Sequence, residues 1–290
     1  VKHPDGSQHA VAVKVLRPGV ERRFSQDLES FYLAARVMER FVRSVRRLRP
    51  LAVVDTLAES VKFEMDLRLE AAALSEMAEN SREDPFFRVP AVDWQRTART
   101  VLSMEWINGI KLSNVAQLRA SNLDLEKLAE TVLQSFLRHA MRDGFFHADM
   151  HQGNLFVEPD GTLVAVDLGI TARLSRPERG FLAEILYGFI KRDYRKVAEI
   201  HFKAGYVPPD QDVDQFAQAL RAIGEPIRDQ TAQDIAMSRL LTQLFEVTEL
   251  FHMATQPQLI MLQKTMVVVE GAARTLDPKL DIWKTAEPVV

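Results

Sequence analysis

Phe146-His147-Ala148-Asp149-Met150-His151-Gln152-Gly153-Asn154, followed by Asp167-Leu168-Gly169, is the stretch that decides how this chain folds. Asp149 and Asn154 stand five positions apart, and the Asp-x-Gly begins thirteen further on. Two carboxylates and an amide offer oxygen ligands, which suit a hard cation that is itself bound to phosphate. A carboxylate beside such a cation can also take the proton of a substrate hydroxyl. Val132 to Arg142 reads as a helix through Val132, Leu133, Phe136, Leu137 and Ala140, ended by Asp143-Gly144. Leu155-Phe156-Val157 and Leu163 to Val166, joined by Pro159-Asp160-Gly161, read as a hairpin that starts at the loop and ends at Asp167.

This spacing matches the catalytic loop H-R-D-x-x-x-x-N and the later D-F-G of kinase-fold phosphotransferases. Asp149 is then the group that orients or deprotonates an acceptor hydroxyl, while Asn154 and Asp167 hold magnesium against nucleotide phosphates. A competing reading makes His147, Asp149 and His151 the zinc ligands of a hydrolase, but no further ligand cluster accompanies them. A kinase-type site also needs a cation on the phosphates. Val11-Ala12-Val13-Lys14-Val15 reads as the strand that carries it, with Lys14 reaching the phosphates. Its acidic partner belongs on the helix read over Leu57 to Asn80, where Glu64, Asp66, Glu70, Glu76 and Glu79 are candidates that composition does not separate. Val101-Leu102-Ser103-Met104-Glu105-Trp106-Ile107-Asn108-Gly109 reads as an apolar strand running into a Gly turn, the connector between two lobes. There Met104 borders an adenine pocket, and backbone groups of Glu105 and Ile107 meet the adenine edge.

With these segments in hand, the chain resembles the ABC1/ADCK/UbiB family of atypical kinases, and most closely its bacterial UbiB members. Four stretches carry the likeness: Val11 to Val20 with Lys-Val-Leu-Arg-Pro-Gly, Glu64 to Ala72, Met104 to Gly109, and Phe146 to Asn154. The resemblance implies that Glu64 and Asp66 are the E-x-D pair of the family and that Glu70 is the partner of Lys14. On a continuous helix Glu64 and Glu70 would lie about 120° apart, so they would not share a partner. It further implies ATP and Mg2+ as cofactors, and a role in ubiquinone (coenzyme Q) biosynthesis as an ATPase or kinase. Polyprenyl or quinone-precursor lipids, or the biosynthetic complex, are the implied partners. The implied location is the cytoplasmic side of the bacterial inner membrane. The family's K-x-G-Q extension, Ala-rich nucleotide loop and C-terminal membrane helices are not found in this sequence. It therefore reads as a soluble fragment whose membrane contacts lie in other segments.

Composition agrees with a globular protein: 290 residues, 47% hydrophobic and 27% charged. A net charge of −3 gives no pull toward nucleic acid, and the absence of Cys removes disulfides and thiolate chemistry. No apolar run is long enough to span a bilayer. The expected fold is α+β and bilobal, kinase-like. Residues 1–107 form a small β-containing lobe with a helical insert over about 19–80, and residues 108–290 form a mostly helical lobe, with the nucleotide between them. In the insert, Phe24, Leu28, Phe31, Ala35, Met38, Val42 and Val45 make one apolar stripe, read as core-facing. Arg43, Arg46, Arg47 and Arg49 follow it, either as a solvated helix end or as a patch for anionic lipid. A strand pair is expected near Phe87–Asp93 and Thr100–Ile107. After Asp167-Leu168-Gly169, Ser175-Arg176-Pro177-Glu178 starts a helix, with no A-P-E and little room for a peptide-docking platform. Two alternatives stand beside the atypical kinase: a small-molecule phosphotransferase of the aminoglycoside or choline kinase type, and a nucleotide-sensing scaffold of a lipid-biosynthesis complex. With no flavin fingerprint, haem ligand pair or iron triad, direct hydroxylation is rejected.

Overall fold

A computed structural model describes residues 10–41, 51, 54–55, 58, 65–228, 247, 250–253 and 257–289. The chain resolves into two compact units, each described by itself. The first takes in Val1–Glu76, Pro90–Trp106 and Asp167–Gly169, and the second takes in Met77–Val89, Ile107–Val166 and Ile170–Val290.

In the first unit β1 (Val11–Val15) pairs antiparallel with β3 (Val101–Glu105), in the register Ala12 opposite Met104 and Lys14 opposite Leu102. Side chains alternate between faces along a strand. Here Val13 and Val15 are exposed while Ala12 and Lys14 are half-buried, so the lysine takes the inward face that an apolar residue usually occupies. Helix α1 (Val20–Phe41) follows. Its expected stripe is only partly covered: Ala35 is buried and Phe24 and Leu28 are half-buried, but Phe31 and Met38 are exposed. Val42, Val45 and the four arginines lie outside the described residues.

Helix α2 (Leu67–Asn80) is where the sequence reading needs correction. It does not run unbroken from Leu57, because Met65 and Asp66 are non-helical. Asp66 Oδ1 accepts from Arg68 N at 3.1 Å, capping the first turn, and both its oxygens also receive the Arg68 guanidinium at 2.9 and 2.6 Å. A side-chain acceptor just before a helix satisfies one of the amides that the first turn leaves without a partner, which fixes the start there. Glu64 lies outside the described residues, and the 120° relation to Glu70 falls with the continuous helix. From Leu67 onward, Leu67, Ala71, Leu74 and Met77 form a fully buried stripe.

In the second unit β4 (Ile110–Lys111), β6 (Leu155–Val157) and β7 (Leu163–Ala165) form an antiparallel run, joined at its far edge by β2 (Phe87–Arg88), which lies parallel to β7. The expected strand pair therefore splits. Phe87 and Arg88 join β7 in the second unit, whereas Ala91 and Asp93 bond to Glu105 and Ser103 in the first. Pro90 stands at the division, where a residue without an N–H interrupts a ladder. The hairpin β6–β7 is as expected, with Gly161 at a positive φ of 88°.

Helix α3 (Val115–Ala120) and helix α4 (Leu125–Arg138) follow β4. α4 starts a turn and more before the expected Val132, at the cap of Asp124 on Lys127 N. It buries Leu128, Ala129, Val132, Leu133, Phe136 and Leu137. β5 (Phe145–His147) pairs with β8 (Thr171–Arg173). Helix α5 (Arg176–Lys191) begins with the expected Ser175 cap, completed by Glu178 into a reciprocal capping box with Pro177 in the first turn. Helices α6 (Tyr194–Lys203) and α7 (Val213–Arg228) enclose a core around Phe216. The long α8 (Pro257–Leu276) packs along α4, and the short α9 (Ile282–Ala286) follows. Among the described residues, no helix is long and apolar enough to cross a membrane.

Candidate active site

The first unit brings three of the expected residues together. Lys14 Nζ donates to Glu70 Oε1 at 3.0 Å and Oε2 at 2.9 Å, and to Asp167 Oδ1 at 2.7 Å. Glu70 sits on the apolar stripe of α2, three positions after Leu67 and four before Leu74, and is buried. Burial pushes its carboxyl above the ordinary value, an effect the Lys14 cation only partly offsets. For Lys14 burial acts downward, but the hydrogen bonds to Asp167 and Glu70 outweigh it and hold the ammonium above its usual range. Both values rise, but burial prevails at Glu70, the deeper partner, while the hydrogen bonds prevail at Lys14. The lysine side chain keeps 38% of its exposure and loses less hydration.

Asp167 adopts a left-handed backbone with φ 60°, a conformation that costs an ordinary residue about 1–2 kcal/mol and that Asp and Asn tolerate best. Met104 is buried on β3. Glu105 N donates to Ala91 O at 2.8 Å, so that donor is already engaged and cannot also serve a base edge. Ile107 belongs to the second unit.

The second unit carries the loop expected to be catalytic, and its backbone is fixed from several sides. Gly144, at φ 67°, ends the π-helical turn His139–Asp143. A Cβ there would fall 2.5 Å from Leu174 O, so β5 can start only from glycine. The same turn is tied down by buried Asp84, which accepts from His139 Nε2 at 3.0 Å and Arg142 Nη2 at 3.1 Å. Burial would raise the Asp84 carboxyl, yet these bonds hold it well below the usual range. His147 is buried, receives Asp149 N–H on Nδ1 at 3.2 Å and lies 3.2 Å from Val166 O through Nε2. A ring that accepts at Nδ1 carries its proton at Nε2, so His147 is a bracket for the loop, with both nitrogens engaged. Asn154 is buried, donates through Nδ2 to Asp149 O at 3.2 Å and accepts Val166 N–H on its backbone carbonyl at 2.8 Å.

The zinc reading fails on this geometry. Neither His147 nitrogen is left for a metal, and His151 Nδ1 accepts Gly153 N–H at 3.0 Å as a turn cap. Among the described residues no group of three His, Cys, Asp or Glu could hold a metal ion. Magnesium is different, because it takes one or two protein oxygens with water and phosphate completing its shell. In the second unit Asn154 spends its side-chain nitrogen on the loop, which leaves Oδ1 as its ligand atom, and in the first Asp167 offers carboxylate; each donor by its own chemistry fits a hard cation.

One residue had no motif to announce it. Lys264 of α8 places Nζ 3.9 Å from Asp149 Oδ1, and His151 Nε2 lies 3.7 Å from Oδ2. Its neighbour Thr265 is buried and donates to Ala148 O at 2.8 Å.

The ABC1 atypical kinase-like domain matches residues 2–201, and the UbiB helical domain matches residues 220–281. This chain is a member of the ABC1 atypical kinase family. Its ABC1 relatives include proteins named probable protein kinase UbiB. That of Marinobacter nauticus is 40% identical over 289 residues, covering 98% of this chain and 52% of the relative. That of Azotobacter vinelandii is 42% identical over 282 residues, covering 96% and 52%. The chain thus spans about half the length of these curated relatives. A solved structure described as the complex of Rv3197 with erythromycin from Mycobacterium tuberculosis aligns with TM-score 0.68 at 26% identity, covering 99% of this chain and 72% of that one. The fold of this ABC1 chain is accordingly kinase-like, mixed helix and sheet.

Proposed function

We propose that the chain is the nucleotide-handling part of an atypical kinase or ATPase that uses Mg-ATP and acts in, or regulates, ubiquinone biosynthesis. The observation that carries this reading is the Lys14 ammonium held by Glu70 and Asp167. An acid placed on an apolar helix stripe costs stability unless it has a cation to hold, and this one holds the lysine of a kinase-type strand. Residues 1–107, with the insert over about 19–80, are read as the small lobe and 108–290 as the large one.

In this mechanism Glu70 aims Lys14 at the α- and β-phosphates, and Met104 with backbone of Glu105 and Ile107 borders the adenine. Asn154 and Asp167 are the residues that would hold magnesium, and the ion would supply charge neutralisation on the phosphates. Asp149 receives the proton of an acceptor hydroxyl or water as the oxygen bonds to the γ-phosphorus and the bond to the bridging oxygen breaks, releasing ADP. Glu64 and Asp66 keep the E-x-D role that the family implies, with Asp66 also capping α2. The UbiB names of the relatives support a polyprenyl or quinone-precursor lipid, or the ubiquinone biosynthesis complex, as the partner at the cytoplasmic face of the inner membrane.

The test is nucleotide hydrolysis by the full-length protein, with and without a polyprenylphenol in liposomes, alongside Asp167→Asn and Asp149→Asn. Magnesium-dependent turnover is expected, with Asp167→Asn losing magnesium-dependent nucleotide binding and Asp149→Asn losing turnover but keeping binding. Full nucleotide binding by Asp167→Asn, or no turnover by the unaltered protein, would overturn the reading.

A further inference from the structure

Helix α8 falls within the part of the chain matched by the UbiB helical domain, outside the kinase-like match, yet it meets the catalytic loop at three points. Thr265 Oγ1 lies 2.8 Å from Ala148 O, the residue before Asp149, and also 2.8 Å from Met261 O on its own helix. Thr275 Oγ1 accepts from Gln152 Nε2 at 3.1 Å, three residues after Asp149. Lys264 comes in between, with its ammonium 3.9 Å from Asp149 Oδ1.

That separation is too long for a hydrogen bond but well inside Coulomb range. The lysine side chain is 58% exposed and that of Asp149 33%, so both face solvent. His151, the other basic group near the carboxylate, is committed through Nδ1 to capping the turn at Gly153 and cannot follow a substrate. Lys264 can, on a flexible four-carbon stem. Phosphoryl transfer brings anionic oxygens toward a carboxylate that must stay near the attacking hydroxyl. A cation in reach of both groups reduces their repulsion, and reduces it most where they come closest, in the transition state.

We propose that Lys264 is a catalytic residue of the Asp149 reaction, contacting the phosphoryl oxygens of the group in transfer while staying in range of the carboxylate. The lysine keeps its proton throughout; the hydroxyl proton goes to Asp149 and the leaving oxygen stays with the nucleoside diphosphate. This rests on the phosphotransfer reading above. It makes the helical domain a contributor to the chemistry as well as a support for the loop.

The experiment measures Mg-ATP hydrolysis by the full-length protein carrying Lys264→Met, Lys264→Arg, Asp149→Asn and the Lys264→Met/Asp149→Asn pair. Lys264→Met is expected to lower kcat on the order of tenfold to a hundredfold, with KM changed less than about threefold. Lys264→Arg is expected to recover much of the rate. Melting temperature should hold, since the ammonium is exposed, and in the Asp149→Asn background the second substitution should cost little more because the two act as a unit. Turnover by Lys264→Met within about twofold of the unaltered protein overturns the proposal alone. So does an equal loss in Met and Arg variants with a lowered melting temperature, which would make α8 packing the cause. An unaltered protein with no turnover overturns both this proposal and the function it rests on.

Discussion

Glu70 is an acid where the helix pattern asks for an apolar side chain, and Lys14 is a base on the inward face of its strand. Each makes the other tolerable. Removing the lysine as Lys14→Met leaves a buried carboxylate without its cation, at a cost of about 2 kcal/mol once the partial exposure of the lysine is discounted. The cost has a direction in pH. The Glu70 carboxyl already stands above its ordinary 4.5, and loss of Lys14 raises it further. A group whose value rises on folding stabilises the protonated, acidic side, so the deficit of Lys14→Met is small below about pH 4.5 and grows above it. Urea unfolding of both proteins at pH 4.5 and 7.5 checks this; a deficit that does not change with pH would mean that Glu70 is not the group left behind. The sequence carried a signal for Glu70 that residue type alone does not. Leu67, Ala71, Leu74 and Met77 share a face, and among the acids of α2 Glu70 is the one that falls within it and is buried. The loop that carries Asp149 and Asn154 and the hairpin that leads to Asp167 were legible from spacing because both are local. Lys264 was not, since it reaches Asp149 from a helix far along the chain and nothing local marks it.

At the level of elements, short-range chemistry was readable and long-range coverage was not. The β6–β7 hairpin and the Ser175 cap with Pro177 in the first turn are each written within a few residues, and both stand as expected. The start of α2 was missed because helical periodicity continues upstream of Asp66, while the cap that stops it is a geometry rather than a composition. From Phe24 to Met38 the apolar stripe of α1 lies at helical spacing, but periodicity cannot say whether anything covers a face, and Phe31 and Met38 remain exposed. The departure of β2 to β7 depends on a partner that follows it by more than 70 residues, beyond any local rule. Asp66 offers the sharpest test at this scale. Its bonds to Arg68 depress the carboxyl from 3.8 to about 2, so its stabilising effect is full above pH 3.8 and is lost as pH falls toward 2. Asp66→Ala is expected to cost about 1 kcal/mol at pH 7, the usual worth of an N-cap, and much less at pH 2. Thermal melts across that range would show it, and an equal cost at both ends would assign the effect to packing.

For the whole molecule, the kinase-like match ends before α8 begins, yet α8 lies along α4, whose buried Leu128, Val132 and Phe136 belong to the kinase-like part. A chain cut after Lys203 would strip from α4 the helix that packs along it. Such a truncation is expected to bind a hydrophobic dye and to lose its cooperative melt, whereas the longer chain melts as one transition. A well-folded, dye-free truncation would show that the two matched regions fold independently. The arrangement of the first unit has another consequence, for the order of events in synthesis. Its three pieces are dispersed along the chain, and the last of them is Asp167–Gly169. No single cut can release that unit intact. On a ribosome, where the chain emerges from its amino end, Lys14 and Glu70 can meet early, but their third partner arrives only after the loop bearing Asp149 has already left the tunnel.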